Sequence, residues 1–260
     1  KGERIMKQAL VCVSFGTLVE NGRADLEAVE TALRDAAPGR AFFRAYTSSI
    51  IRRRLQARGV AAQSLAEVLE MLAQRGFEDV CVQPTHLLCG YEYDKIKAET
   101  AEYQSRFARL LLGEPLLAGT QDLQAVAQAV AGIWPRTPGE ALVLMGHGTD
   151  HFAGVVYPAL QSAFALQDRD DVFVATVEGW PSLAEILPGL RAGGYKSVHL
   201  APLLLVAGDH ACHDMAGDDP DSWKQQLQAE GLSVRCTLQG LGRQPRFQQL
   251  YREKLDRMLG

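Results

Sequence analysis

The chain has 260 residues, of which 47% are hydrophobic and 22% charged, with a formal net charge of -4. That composition excludes disorder and is ample for one or two cores of about 100 to 150 residues each. The mildly acidic balance gives no basic footprint, so no nucleic-acid partner is expected. In chain order, residues 8-16 (QALVCVSFG) are a short apolar run ended by Gly and predict a strand, and 24-36 carries apolar side chains at helical spacing up to the Pro-Gly break at 38-39. The alternation continues with strand 41-46, helices 50-59 and 65-76, strand 79-85, helix 91-111 and strand 114-119. Helix 122-134, strand 141-146, helix 155-166, strand 171-176, helix 182-194 and strand 197-205 follow, then helix 221-231, strand 233-238 and a last helix, 245-259. Strands apolar on both faces and separated by helices predict an α/β fold of two Rossmann-like domains, with parallel sheets covered on both sides.

The second half repeats the first. Residues 9-17 (ALVCVSFGT) return as 141-149 (ALVLMGHGT), with His147 standing where Phe15 stood. Residues 75-96 are echoed by 193-215, so that Gly76, Pro84 and Gly90 fall at one constant offset before Gly194, Pro202 and Gly208, and Glu92 is set against His210. We place the boundary near 118-122, giving domains 1-120 and 121-260 with a cleft between them; the last helix is free to dock on either. Ligands of open parallel sheets bind beyond the carboxyl ends of the strands, which is where both Gly-Thr turns and the Gly90 and Gly208 loops lie.

Cys12, Cys81, Cys89, Cys212 and Cys236 are scattered, mostly in apolar runs, and imply no disulfide framework. With no apolar run of about 18 residues and no basic-apolar leader, neither a membrane span nor a signal peptide is expected, and the cytoplasm is the expected location. Residues 1-5 (KGERI) precede Met6, which stands where an initiator would, so they read as additions to a native start; a processed N-terminus is the alternative.

FGT after the first strand, AYTSSIIRRRL, Gly-x-Glu-Tyr, GHGT, TVEG-x-P-S and VAGDHAxxDMAGDDPDSWK together resemble the anaerobic cobalt chelatases, ATP-independent, ferrochelatase-like (class II) enzymes that insert Co(II) into sirohydrochlorin in cobalamin biosynthesis. The likeness runs from the first strand to about residue 224, and GHGT alone would be weak. It implies two Rossmann-like domains facing a cleft, Co(II) as substrate metal, sirohydrochlorin as partner, and no nucleotide or structural metal. A homo-oligomer is compatible with the sequence. The resemblance also places the metal ligands at His147, Glu178 and His210, with Glu92 as proton acceptor and His147 and His210 taking part in catalysis.

These residue types suit the chemistry. Neutral imidazole binds borderline first-row ions, and a carboxylate adds charge compensation and a base. Each residue has a structural alternative: Glu178 as cap of a helix starting near Ser182, Glu92 as a first-turn carboxylate favoured by the helix dipole. Asp209, Cys212, His213 and Asp214 crowd His210, but no second Cys/His pair at zinc-site spacing accompanies them, and Cys212 and His213 read as bystanders. Asp221 or Ser222 should cap the helix that follows.

For a flat polycarboxylate, Ser14, Thr17, Tyr46, Thr47, Arg52 and His86 are candidate substrate contacts. Arg52, Arg53 and Arg54 point three ways on one helix, so at least one is a solvated face. Thr17 can equally stabilise its turn. His86, aligned with Leu204, is a cleft-wall or core histidine, a proton relay, or an axial ligand. His151 and His199 carry no separable signal. A carrier of metal or tetrapyrrole, and a chelatase for Ni(II) or Fe(II), are alternative readings. A nucleotide enzyme is disfavoured because no G-x-G-x-x-G or G-x-x-x-x-G-K-[ST] follows a strand, and the absence of G-x-S-x-G argues against a Ser-His-Asp hydrolase.

Overall fold

The computed structural model describes residues 6–260, and the reading of KGERI lies outside the described residues. Strands β1 (Gln8–Ser14), β2 (Ala41–Tyr46), β3 (Asp79–Pro84) and β4 (Arg109–Leu112) form one parallel sheet in the order β2-β1-β3-β4. The second is made by β5 (Glu140–Gly146), β6 (Val172–Thr176), β7 (Ser197–Pro202) and β8 (Ser233–Cys236), in the order β6-β5-β7-β8. The internal repeat therefore reappears as one topology used twice, with Val13 opposite Pro84 in the first sheet and Met145 opposite Pro202 in the second. Nine α-helices are described: α1 (Glu20–Ala36), α2 (Ser49–Ala57), α3 (Leu65–Gln74), α4 (Tyr91–Glu102), α5 (Thr120–Ile133), α6 (Val156–Ala165), α7 (Leu183–Ala192), α8 (Trp223–Ala229) and α9 (Pro245–Leu259).

Strand periodicity distributes the core. Alternate residues of a strand point to opposite faces, so Ala9, Val11 and Val13 of β1 pack with α3 and α4, while Leu10 and Cys12 enter a second core with α1, α5 and α9. In β5, Leu142 and Leu144 join that second core and Ala141, Val143 and Met145 pack with α7 and α8. The two sheets thus share one apolar layer, which sets their separation. No helix among the described residues is long and apolar enough to cross a membrane.

Two sequence expectations need correction. Residues 91-111 are not one helix: α4 stops at Glu102, a 3-10 turn follows at Gln104–Arg106, and β4 pairs with β3 from Asp79↔Arg109 to Val82↔Leu112. Residues 114-119 form no strand; Leu116 N donates to His86 O at 3.0 Å and Leu117 N to Leu87 O at 2.8 Å, bracing the segment after β3. A four-residue edge strand beginning with Arg has too little local pattern to outweigh the helical spacing before it, and its pairing is a tertiary choice.

The last helix docks across the halves. Arg252 of α9 donates to Ala32 O at 3.1 Å, the buried Lys254 pairs with Asp122 at 2.9 Å, and the fully buried Tyr251 donates its OH to Thr85 O at 2.6 Å. A second tie lies at Asp25 of α1, which is fully buried. Its carboxylate accepts from Ala207 N at 2.7 Å, Gly240 N at 3.1 Å and Arg243 Nε at 2.5 Å. Gly240 is required here because a Cβ would lie 2.5 Å from that carboxylate and 2.4 Å from Leu205 O.

Asp25→Ala should lower unfolding free energy by about 2 to 5 kcal/mol, since it leaves two buried N–H groups without an acceptor and takes the carboxylate from a part-exposed guanidinium that Asn21 still holds; urea denaturation measures this, and a loss under about 1 kcal/mol would contradict it. A pH effect follows from His199, buried on β7 with Nε2 2.7 Å from Thr237 Oγ1. Burial, helped by Arg235, pushes it down to about 4 from 6.5. The unfolded chain therefore binds more protons between those values, and stability should fall as pH drops from about 6.5 to 4. His199→Gln should shallow that slope in denaturation series; an unchanged slope would remove His199 as its source.

Candidate metal centre and cleft

The carboxyl ends of both sheets open on one cleft of about 730 Å³, lined from the first half by Ser14, Thr17, Arg54, His86 and Glu92 and from the second by His147, Thr149 and His210. Its apolar walls come from Leu18, Val19, Leu87 and Leu88 on one side and residues 203-206 on the other.

His147 follows β5 directly, and the turn that carries it is over-determined. Gly148 N donates to the Tyr157 hydroxyl at 3.1 Å, and Glu178 N donates to His147 O at 2.7 Å, laying the turn after β6 against the turn after β5. Gly148 has φ +90, and a Cβ there would fall 1.7 Å from Glu178 O, so only Gly lets the two turns approach. His210 opens a five-residue π-helix, Ala211–Met215, a rare backbone form that is frequent at functional sites. Its loop is anchored from behind by the Ala207–Asp25 bond.

Side-chain ligand atoms of His147, Glu178 and His210 all lie within 4.8 Å of one another. The two imidazoles meet edge to face, with centroids 4.7 Å apart. Bonds of about 2.1 Å to one ion bring ligand atoms to about 3.4 Å at a tetrahedral angle, so side-chain rotations of about 1 Å would close the set. His210 Nδ1 is 2.6 Å from Asp214 Oδ2, an arrangement that places the proton on Nδ1 and leaves Nε2 as a donor to a metal. His147 Nδ1 is likewise 3.0 Å from Gly148 O.

The cap considered for Glu178 belongs elsewhere: Ser182 caps α7, and Glu185 accepts from Ser182 N at 2.6 Å. Ser222 caps α8, accepting from Gln225 N at 3.3 Å. His213 pairs with Asp209 at 3.1 Å, and both His213 and Cys212 stand outside the ligand cluster.

In the first half, Glu92 sits in the opening turn of α4, and its Oε2 is buried without a hydrogen-bond partner. Both ring nitrogens of His86 are in the same condition. Burial pushes His86 down to about 4, with the nearby Glu92 carboxylate pulling the other way, so the ring is neutral near pH 7.

The substrate candidates separate. Ser14, Thr17 and His86 line the cleft; Tyr46, Thr47 and Arg52 do not. Ser14 Oγ accepts from Thr85 Oγ1 at 2.9 Å, and Thr17 Oγ1 accepts from Val19 N at 3.2 Å at the start of α1, so Thr17 also holds its turn. Tyr46 packs against the shared core, and Thr47 is buried, with its carbonyl taking Lys95 Nζ at 2.8 Å. Arg52 turns to Glu67 at 3.4 Å, and the helix rotation gives the cleft to Arg54. Arg54 is the one Lys or Arg among the described residues lining this cleft.

The sequence reading missed three features here. Arg54 was indistinguishable from its neighbours before the helix face was known. Asp214 is signalled only by its four-residue spacing from His210. His151 bridges the rim, with Nε2 3.2 Å from Asp94 of α4 and its ring edge-on to Tyr91 at 4.8 Å, a contact visible only once the halves face each other.

This chain is similar to known chelatases along its whole length. It is 38% identical over 257 residues to the sirohydrochlorin cobaltochelatase of Salmonella typhimurium, covering 98% of this chain and 97% of that one. It is 36% identical over 253 residues to sirohydrochlorin cobaltochelatase CbiKC of Nitratidesulfovibrio vulgaris, covering 96% and 89%. Among solved structures, SirB from Bacillus subtilis with Fe3+ shares the fold at a TM-score of 0.66 and 17% identity, over 97% of this chain and 96% of that one. The model of the cobalt chelatase (CbiK) family matches residues 8–259, and the chain belongs to that family.

Proposed function

We propose that this chain inserts Co(II) into sirohydrochlorin without a nucleotide, as a lyase of anaerobic cobalamin biosynthesis, with His147, Glu178 and His210 holding the incoming ion and Glu92 receiving pyrrole protons. The observation that carries the reading is the three-residue ligand cluster opening on a cleft whose other wall holds the unpartnered Glu92 oxygen.

Insertion requires a divalent ion held firmly enough to be presented and loosely enough to be surrendered. Three exposed or half-exposed ligands do this: two neutral imidazoles bind a first-row ion, Glu178 offsets part of its charge, and open positions remain for macrocycle nitrogens. The apolar walls suit a flat macrocycle, and Arg54 at the edge suits a peripheral carboxylate. Breaking an N–H bond calls for a base that no other protein group already occupies, and Glu92 Oε2 is buried with no protein hydrogen-bond partner. A carrier would need no such group. Because N/O sites favour Ni(II) over Co(II) intrinsically, supply decides the physiological metal and all candidates belong in the assay.

Purified chain with sirohydrochlorin and Co(II), without nucleotide, should show the absorbance change of insertion well above the spontaneous rate, with Ni(II) and Fe(II) run in parallel. His147→Ala and His210→Ala should each lose most of that rate while keeping the wild-type circular dichroism; full activity in both would move the metal site elsewhere.

Glu92→Gln should bind Co(II) and sirohydrochlorin normally but insert the metal on the order of 100-fold more slowly. An unchanged rate would return Glu92 to the role of a helix-start carboxylate.

A further inference from the structure

Metal insertion releases two protons, and Glu92 is one base. In the same cleft wall stands His86, with two buried ring nitrogens that have no hydrogen-bond partner in the protein. An unsatisfied buried polar group costs about 1 to 3 kcal/mol, and a catalytic role is one of the few reasons such a group is retained.

The backbone around this ring is pinned from three sides. Leu116 N bonds to His86 O at 3.0 Å, the Tyr251 hydroxyl to Thr85 O at 2.6 Å, and Thr85 Oγ1 to Ser14 Oγ at 2.9 Å. Rigid placement with unspent polar atoms is the reverse of a structural histidine such as His199, whose ring nitrogen is bonded to Thr237. The repeat sharpens the contrast, because Leu204 occupies the matching place in the second half and lines the same cleft with a plain apolar side chain.

Resting on the chelatase reading, we propose that His86 is a positioning and proton-relay partner of Glu92, taking the first pyrrole proton from it so that Glu92 is again a carboxylate when the second N–H breaks. In the first step a macrocycle N–H bond breaks, its electron pair stays on nitrogen as a donor to Co(II), and the proton forms an O–H bond on Glu92. That proton passes to a ring nitrogen of His86, giving imidazolium and restoring the carboxylate. The second N–H proton then goes to Glu92. Net, Co(II) enters, two protons leave the macrocycle, and His86 and Glu92 return them to solvent as the product departs. Burial that holds the ring near 4 keeps it neutral at rest and makes it shed the proton promptly, which suits a relay rather than a store.

The test is single-turnover Co(II) insertion by His86→Leu, the residue of the second half, and by His86→Ala with and without added imidazole. Binding of sirohydrochlorin and of Co(II) is measured separately by titration. The relay requires insertion slowed on the order of 100-fold in His86→Leu with both affinities near wild type, and rate restored to His86→Ala by imidazole but not by an equal concentration of a non-basic isostere. Unimpaired insertion by His86→Leu, or a slow His86→Ala that imidazole does not restore, overturns the relay while leaving the chelatase reading intact. Wild-type chain that inserts no Co(II) overturns the chelatase reading, and this one with it.

Discussion

The geometry of the cleft depends on one buried carboxylate. Asp25 projects from α1, a helix of the first half, and satisfies two backbone N–H groups and one guanidinium of the second half. Ala207, which it holds, lies three residues before His210, so the bond that fastens the halves also fixes the loop that carries the His210 imidazole. The shared apolar layer of α1, α5 and α9 adds area to this joint but not register, because apolar burial is non-directional. A hydrogen-bonded charge supplies the register.

On this frame a repeated unit has been divided between two tasks. Each half presents a loop after its third strand, and the loops match at Gly90 and Gly208, yet one continues to Glu92 and the other to His210. His147, Glu178 and His210 gather on one wall because the turns after β5 and β6 are bonded to each other, through Glu178 N to His147 O, next to the His210 loop. The opposite wall keeps carboxylate, imidazole and Arg54. Under the proposed function that separation matters chemically: a base bound to the metal would be neutralised by it, whereas one on the opposite wall would stay available.

Much of this was legible in the sequence because it is written in local patterns. Apolar runs ended by Gly marked β1 and β5, helical spacing marked α1 and α7, and the constant offset between halves marked the cleft before any contact was known. His147, Glu178 and His210 were legible as candidate ligands for a different reason, because the resemblance is carried by GHGT, TVEG and GDHA. What stayed hidden is set by distance in sequence. Asp25 looks like one polar residue on an amphipathic helix, and its partners lie some two hundred residues away. Strand β4 is defined by pairing with β3, not by its own four residues. Choosing among Arg52, Arg53 and Arg54 needed the rotation of α2, which the Ser48 cap fixes.

The joint and the mouth of the cleft are held by forces of unequal worth. At the back, Asp25 and the backbone N–H groups of Ala207 and Gly240 are buried, and breaking their bonds leaves a carboxylate and two N–H groups without partners, so that side resists opening by several kcal/mol. At the rim, His151 meets the half-exposed Asp94 and the exposed Tyr91, and contacts of that kind contribute about 0 to 1 kcal/mol. The low-energy direction for widening the cleft therefore runs through the rim, with Asp25 as the fixed edge. Motion of that sense carries α4, and with it Glu92, relative to the loops bearing His147 and His210, while the three ligands keep their spacing because all belong to the second half. Under the proposed function, an opening of that sense would let an ion and then a large flat partner enter one cleft while His147, Glu178 and His210 keep their spacing.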